Sequence, residues 1–266
     1  MQKTVPSTLS DSLGRLTPEG VLQLSCPRSW KEMNQEQLRY ALHVIGSVMY
    51  SSVEGRTLML LRFTGIEVHN KAAGGWTCSI RVARDNGKTK RHFFFIQAWQ
   101  IQDFIKQLEY VDSYETFDVR LESIGGFKAV DALLHKVIFN DYLNMEKYYQ
   151  GYLATKEEKY ALGLARLLYP GGVTAIDEAE LTNCVMWFSY VKKRFSKLFR
   201  HFFKPAPEGG KTVNWLEQMN AQIRALTDGD ITKERTVLDA DCWRALTELD
   251  AKAREAEEFR RKYPNA

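Results

Sequence analysis

The sequence predicts an α+β protein, predominantly helical: a small antiparallel hairpin sheet with helices, followed by a helical bundle. Two observations carry the prediction. Trp76, Cys78, Ile80 and Val82 alternate with Thr77, Ser79, Arg81 and Ala83, the turn-forming Asp85-Asn86-Gly87 follows, and residues 91–96 (RHFFFI) run back, which is the pattern of a hairpin near 76–96. Leu181, Phe188, Phe195 and Phe202 then fall seven apart, with Cys184, Val191 and Leu198 between them, the pattern of a long helix over 177–203 with one buried seam. The Gly125-Gly126 pair separates strand signals from purely helical ones, so it is read as a boundary between an α+β domain, 1–125, and a helical domain, 126–266.

Taken in order, residues 1–29 read as coil with a short extended segment at 21–25. A helix begins after Asn34, with Gln37 as its capping-box partner and Leu38, Ala41, Leu42, Ile45 and Met49 as its apolar stripe, over which Trp30 folds as a staple. Residues 54–63 form a second helix, stopped by Thr64-Gly65. Residues 97–110 return to helical period after the hairpin, and 117–121 (FDVRL) suggest a further strand. Beyond the Gly pair, helices are expected over 130–149, 156–168, 177–203, 215–226 and 239–263. The last has Cys242, Leu246, Leu249, Ala253 and Ala256 as its seam. Its small seam residues bury little surface, so it either packs as an ordinary terminal helix or projects until a partner covers it. Asp177, Glu178 and Glu180 at the start of the long helix complement its dipole by about 0.3–1 kcal/mol each, which explains them without a metal.

Composition limits the function classes. With 44% hydrophobic and 26% charged residues, disorder over the whole length is excluded. Against 33 acidic residues the 37 basic ones leave only +4, too little to imply nucleic acid without a local concentration of charge. Cys26, Cys78, Cys184 and Cys242 are scattered without metal-ligand spacing and read as buried thiols of a reducing compartment. The polar first residues, broken by Pro6 and Gly14, predict no secretory leader, and no apolar run reaches the ~20 residues of a bilayer span. The expected location is therefore cytoplasmic.

The motifs of enzymes are absent: there is no phosphate loop ending in Lys-Ser/Thr, no GxGxxG after a strand, no HExxH and no GxSxG. His43, His69, His92, His135 and His201 stand apart from one another. No catalytic residue, cofactor or metal is assigned.

One segment does concentrate chemistry. Lys192, Lys193, Arg194, Lys197, Arg200 and Lys204 crowd the second half of the long helix, and no acidic residue lies between Glu180 and Glu208. Lys193, Lys197, Arg200 and Lys204 recur at i, i+4, i+7 and i+11 and so share a face, while the Phe residues share another. Such a face suits a solvated helix, an acidic protein partner, or the sequence-independent phosphate contacts of nucleic acid.

Several strings resemble uncharacterised proteins encoded in prophages of Bacteroidetes, near tail genes. They are Ser29-Trp30-Lys31-Glu32 with Gln35-Glu36-Gln37-Leu38, Arg62-Phe63-Thr64-Gly65-Ile66, residues 149–168 around YLATKEEKY, and Leu226-Thr227-Asp228-Gly229-Asp230 followed by Thr232-Lys233. The resemblance carries no active-site residue. It implies a non-enzymatic tail-assembly or structural role, with phage structural or tail proteins as partners and the bacterial cytoplasm or the virion as location. The alternatives are a nucleic-acid-binding protein using the 192–204 face and, third, an enzyme with an unrecognised site. No membrane partner is expected, and oligomerisation stays open.

Overall fold

The computed structural model describes residues 15–16, 22–47, 49–83, 88–203 and 215–263. The protein is α+β and mostly helical, and the chain divides into two compact units, Met1–Thr116 and Phe117–Ala266.

The first unit opens on a two-residue pairing of β1 (Arg15–Leu16) with β2 (Leu22–Gln23), followed by α1 (Gln35–Gly46) and α2 (Ser52–Thr64). Both helices start at complete capping boxes, Asn34 with Gln37 and Ser51 with Glu54. Gly65 ends α2 in the left-handed conformation (φ 70) that a side chain disfavours. Trp30 is buried, its ring edge-on to Tyr110 at 5.6 Å, near Leu38, Leu42, Met59 and Phe63 in depth of burial.

The expected hairpin is present as β4 (Gly75–Ala83) and β5 (Thr89–Gln97), antiparallel, with Cys78 opposite Phe94 and Ile80 opposite His92. The turn at Asp85-Asn86-Gly87 lies outside the described residues. Cys78, Ile80, Val82 and Ile96 are buried on the inner face together with Ile66. Trp76, Phe94 and, from α3 (Ala98–Lys106), Ile101 and Phe104 pack on them. The sequence reading lacked a third strand, β3 (Glu67–Ala72), which pairs with β4 through a bulge between Val68 and Asn70. Its residues are mostly polar and exposed, as an edge strand permits, so it carries no alternation to read. The helical period read through residue 110 ends at Lys106 and continues as a 3-10 turn, Glu109–Asp112.

The second unit corrects two expectations. Residues 117–121 form no strand, because side chains take the groups a strand would need: Leu121 N–H donates to Asn183 Oδ1 (2.9 Å) and Leu121 C=O accepts from Tyr169 OH (2.8 Å). Gly125-Gly126, at φ 57 and 85, forms the turn between β6 (Ser123–Ile124) and β7 (Phe127–Lys128). The helix expected from 130 begins only as α4 (Phe139–Thr155). Before it the chain is held in turns, with Asp131 Oδ1 accepting the Leu133 and His135 amides and Asp241 Oδ2 accepting that of Lys136. Trp187 and Trp243 donate their indole N–H groups to the carbonyls of Ala132 and Leu133. These long-range bonds outbid the helical propensity of the segment.

Lys156, in the left-handed conformation, turns α4 into α5 (Glu158–Leu168). The long helix is α6 (Glu178–Leu198), capped by Asp177 with Glu180 in a capping box. Cys184, Trp187, Phe188, Val191 and Phe195 are buried. Then come α7 (Trp215–Thr227), α8 (Glu234–Leu238) and α9 (Cys242–Lys262), whose N-terminus is capped by Asp241 and whose Trp243 meets Phe195 and Phe199 edge-on at 5.3 and 5.6 Å.

Candidate functional site

The heptad seam holds through Phe195 and then changes. Leu198 is 43% exposed, and Phe199 takes the buried position as α6 ends. The cause lies on α9: Asp250 Oδ1 accepts the backbone N–H groups of His201 (2.8 Å) and Phe202 (3.0 Å), drawing the chain out of the helix. The basic row is therefore shorter than its spacing predicts. Lys193 is half-buried and Lys197 exposed on α6; Arg200, also exposed, lies past the helix end, and Lys204 lies outside the described residues. Lys192 is not part of a free face at all. It pairs with Glu146 of α4 and sits 5.2 Å from the centre of the Tyr149 ring.

The turn after α6 is also pinned by a side chain, with His201 Nδ1 2.9 Å from Glu257 Oε2 of α9. From that point α9 changes character. Cys242, Leu246 and Leu249 are buried as the seam predicts and Ala253 is half-buried, but Ala256 is exposed, as are all residues from Arg254 to Tyr263 apart from Glu257. Phe259 (57% exposed) and Tyr263 (56%) hold their rings 5.0 Å apart on this stretch. Arg260, Arg261 and Lys262 occupy its last turn, where cations also favour the helix dipole. The His201–Glu257 contact fixes α9 beside the end of α6.

Within the same unit a cavity of about 650 Å³ opens between α4, α6, α7 and α9. The Lys192–Glu146 pair lines it, together with Tyr142, Gln150, Gln222 and Lys252. Glu146 Oε2 and Gln222 Oε1 are buried without a hydrogen-bond partner. The two charges of the pair cancel, Lys252 is committed to Asp228 Oδ1 and Ala225 C=O, and burial keeps the Tyr142 phenol protonated. The lining thus offers acceptors to a donor ligand but no nucleophile joined to a base.

The remaining reactive groups are occupied by structure. The four thiols are free; burial pushes Cys26 up to about 11 and Cys242 up to about 12, and holds Cys184 higher still. His69 Nε2 lies 2.7 Å from Ser79 Oγ, and His135 stacks on Trp243 at 4.4 Å. Among the described residues no group of three His, Cys, Asp or Glu is arranged to hold a metal, and no helix is long and apolar enough to cross a membrane.

In the first unit the outer face of the sheet carries a surface that the sequence reading missed. Phe93 (60% exposed) and Phe95 (46%) project from β5 opposite Ser79 and Thr77, and Trp99 (58%) follows at the start of α3. The signal was available in RHFFFI: if Phe94 and Ile96 face the core, Phe93 and Phe95 must face out. Compared with known proteins, the chain matches no family model, no curated protein and no solved structure.

Proposed function

We propose that the chain is a non-enzymatic, phage-type structural or tail-assembly protein that presents helical surfaces to partner proteins in the bacterial cytoplasm. The observation that carries this reading is the far end of α9, where Ala256, Phe259 and Tyr263 recur at i, i+3 and i+7 on a stretch that buries almost nothing. A helical stretch as short as 254–263 is marginal without tertiary packing of its own, and an apolar pair on it is the type of anchor that helix-in-groove partners accept. The cations beside it in the last turn of α9, Arg260 and Arg261, favour a partner groove with an acidic rim. The resemblance to prophage proteins near tail genes supplies the class of partner.

The test is co-expression with the tail proteins encoded beside it. The intact chain is expected to co-purify with one of them in fixed stoichiometry. Phe259→Ser with Tyr263→Ser, and separately charge reversal at Lys193, Lys197, Arg200 and Lys204, should abolish that complex while leaving the far-UV circular dichroism unchanged. Variants that bind as the intact chain does would remove the proposal. Tight, salt-sensitive nucleic-acid binding abolished by the four reversals would replace it with the nucleic-acid reading of the 192–204 face.

A further inference from the structure

We infer that the free edge of β5 is a self-association edge: β5 of a second copy of this chain pairs antiparallel to it and joins the two β3–β4–β5 sheets into one. This edge lies in the first unit and is independent of the function proposed from α9. Ala98 N–H donates to Gly74 C=O in continuation of the β4–β5 register, so the even-numbered residues of β5 exchange backbone hydrogen bonds with β4. The N–H and C=O groups of Arg91, Phe93 and Phe95 therefore point away from the sheet. Gln97 follows the same parity, and its N–H is taken by Gln100 Oε1 at 2.9 Å. Among the described residues no strand lies beyond β5.

The two edges of the sheet differ. β3 is short, mostly polar and bulged between Val68 and Asn70, features that keep an edge from pairing. β5 has nine residues in unbroken register, with no proline and no bulge. The side chains that would shield its outward backbone groups are drawn back across the sheet. Arg91 lies 2.8 Å from Glu67 and Phe93 lies 5.5 Å from His69, both on β3. Phe95 lies over Gly75 of β4, where a Cβ would come within 2.8 Å of its ring. An open row of backbone donors and acceptors is matched by another strand.

The sequence of β5 makes a second copy the fitting strand. Thr89–Gln97 is centred on Phe93, so an antiparallel pair about a two-fold axis at Phe93 engages the whole strand. Phe93 then faces Phe93 of the second copy, Arg91 faces Phe95, Lys90 faces Ile96 and His92 faces Phe94. The outward groups of Arg91, Phe93 and Phe95 thus meet one another, and no cation meets a cation. Centring the pair on Arg91 instead would set two guanidinium groups face to face.

The experiment is sedimentation velocity of the full chain between about 1 and 100 µM, where a monomer–dimer equilibrium is expected. Because position 93 faces itself across the axis, Phe93→Lys and Phe93→Glu should each weaken the dimer at least about tenfold. An equimolar mixture of the two variants should restore it, which separates lost pairing from lost folding, since two misfolded chains do not rescue each other. In the unaltered chain, residue-resolved amide exchange should report the parity. The amides of Arg91, Phe93 and Phe95 become protected as the concentration rises, whereas those of Phe94 and Ile96 exchange slowly throughout. A monomer over the whole concentration range, a mixture that associates no better than either variant, or no concentration-dependent protection at these three amides would each overturn the assignment.

Discussion

At the scale of single residues, the second unit is organised around Asn183, fully buried in α6. It closes a ring of three hydrogen bonds: Leu121 N–H to Asn183 Oδ1, Asn183 Nδ2 to Tyr169 OH (2.8 Å), and Tyr169 OH to Leu121 C=O. Every polar group in the ring is satisfied by another, so removing one strands its neighbours in a medium without water. Asn183→Ala is expected to destabilise the protein by about 1–3 kcal/mol in urea unfolding, and Tyr169→Phe by a similar amount. The pair should be clearly less than additive, because each change breaks the same ring. Additive losses would mean that the bonds act separately. Nothing local signals this ring: Asn183 sits in a helix whose buried seam reads as apolar, and its partners lie 62 and 14 residues away.

At the scale of elements, legibility followed how local the determinants are. The entry of α1 is readable from its capping box, Asn34 with Gln37, and that of α6 from the acidic cluster Asp177, Glu178 and Glu180 at its positive end, where Asp177 and Glu180 also close a capping box. The β4–β5 pair was readable because one face of it is core. The late start of α4 and the early end of α6 were not, since Asp241 and Asp250 enforce them from about 50 to 105 residues away. The outward rings of β5 lie in the same string as the strand signal, since Phe93 and Phe95 alternate with the inward Phe94 and Ile96. The α4–α5 pair gives an element-scale prediction. Gly163 of α5 lies under Tyr148 of α4, where a Cβ would meet the ring at 2.6 Å and its root carbon at 2.9 Å, and Gly151 lies likewise under Tyr160 at 2.5 Å. Helix propensity favours Ala over Gly by about 1 kcal/mol. Overpacking of this kind costs about 1–3 kcal/mol, so Gly163→Ala should destabilise on balance. With Tyr148→Ala already in place the same change should stabilise, as thermal unfolding of the variants would report; stabilisation in the unaltered background would mean that the ring moves aside freely.

At the scale of the whole molecule, the two units present chemically different surfaces. The first offers a sheet face with the exposed rings of Phe93 and Phe95. The second offers an apolar helix end flanked by Arg260 and Arg261. Both leave large apolar side chains in water, and neither joins them to a nucleophile and base, which is why binding is the activity proposed. The claim turns on α9 being supported over its first turns and uncovered over its last. Hydrogen–deuterium exchange of the full chain, alone and with a co-expressed protein found to co-purify with it, tests this most directly. The account predicts that the amides of 254–263 exchange far faster than those of 245–250 in the free protein and become protected in the complex. Slow exchange over 254–263 in the free protein, or no added protection there in the complex, would contradict it.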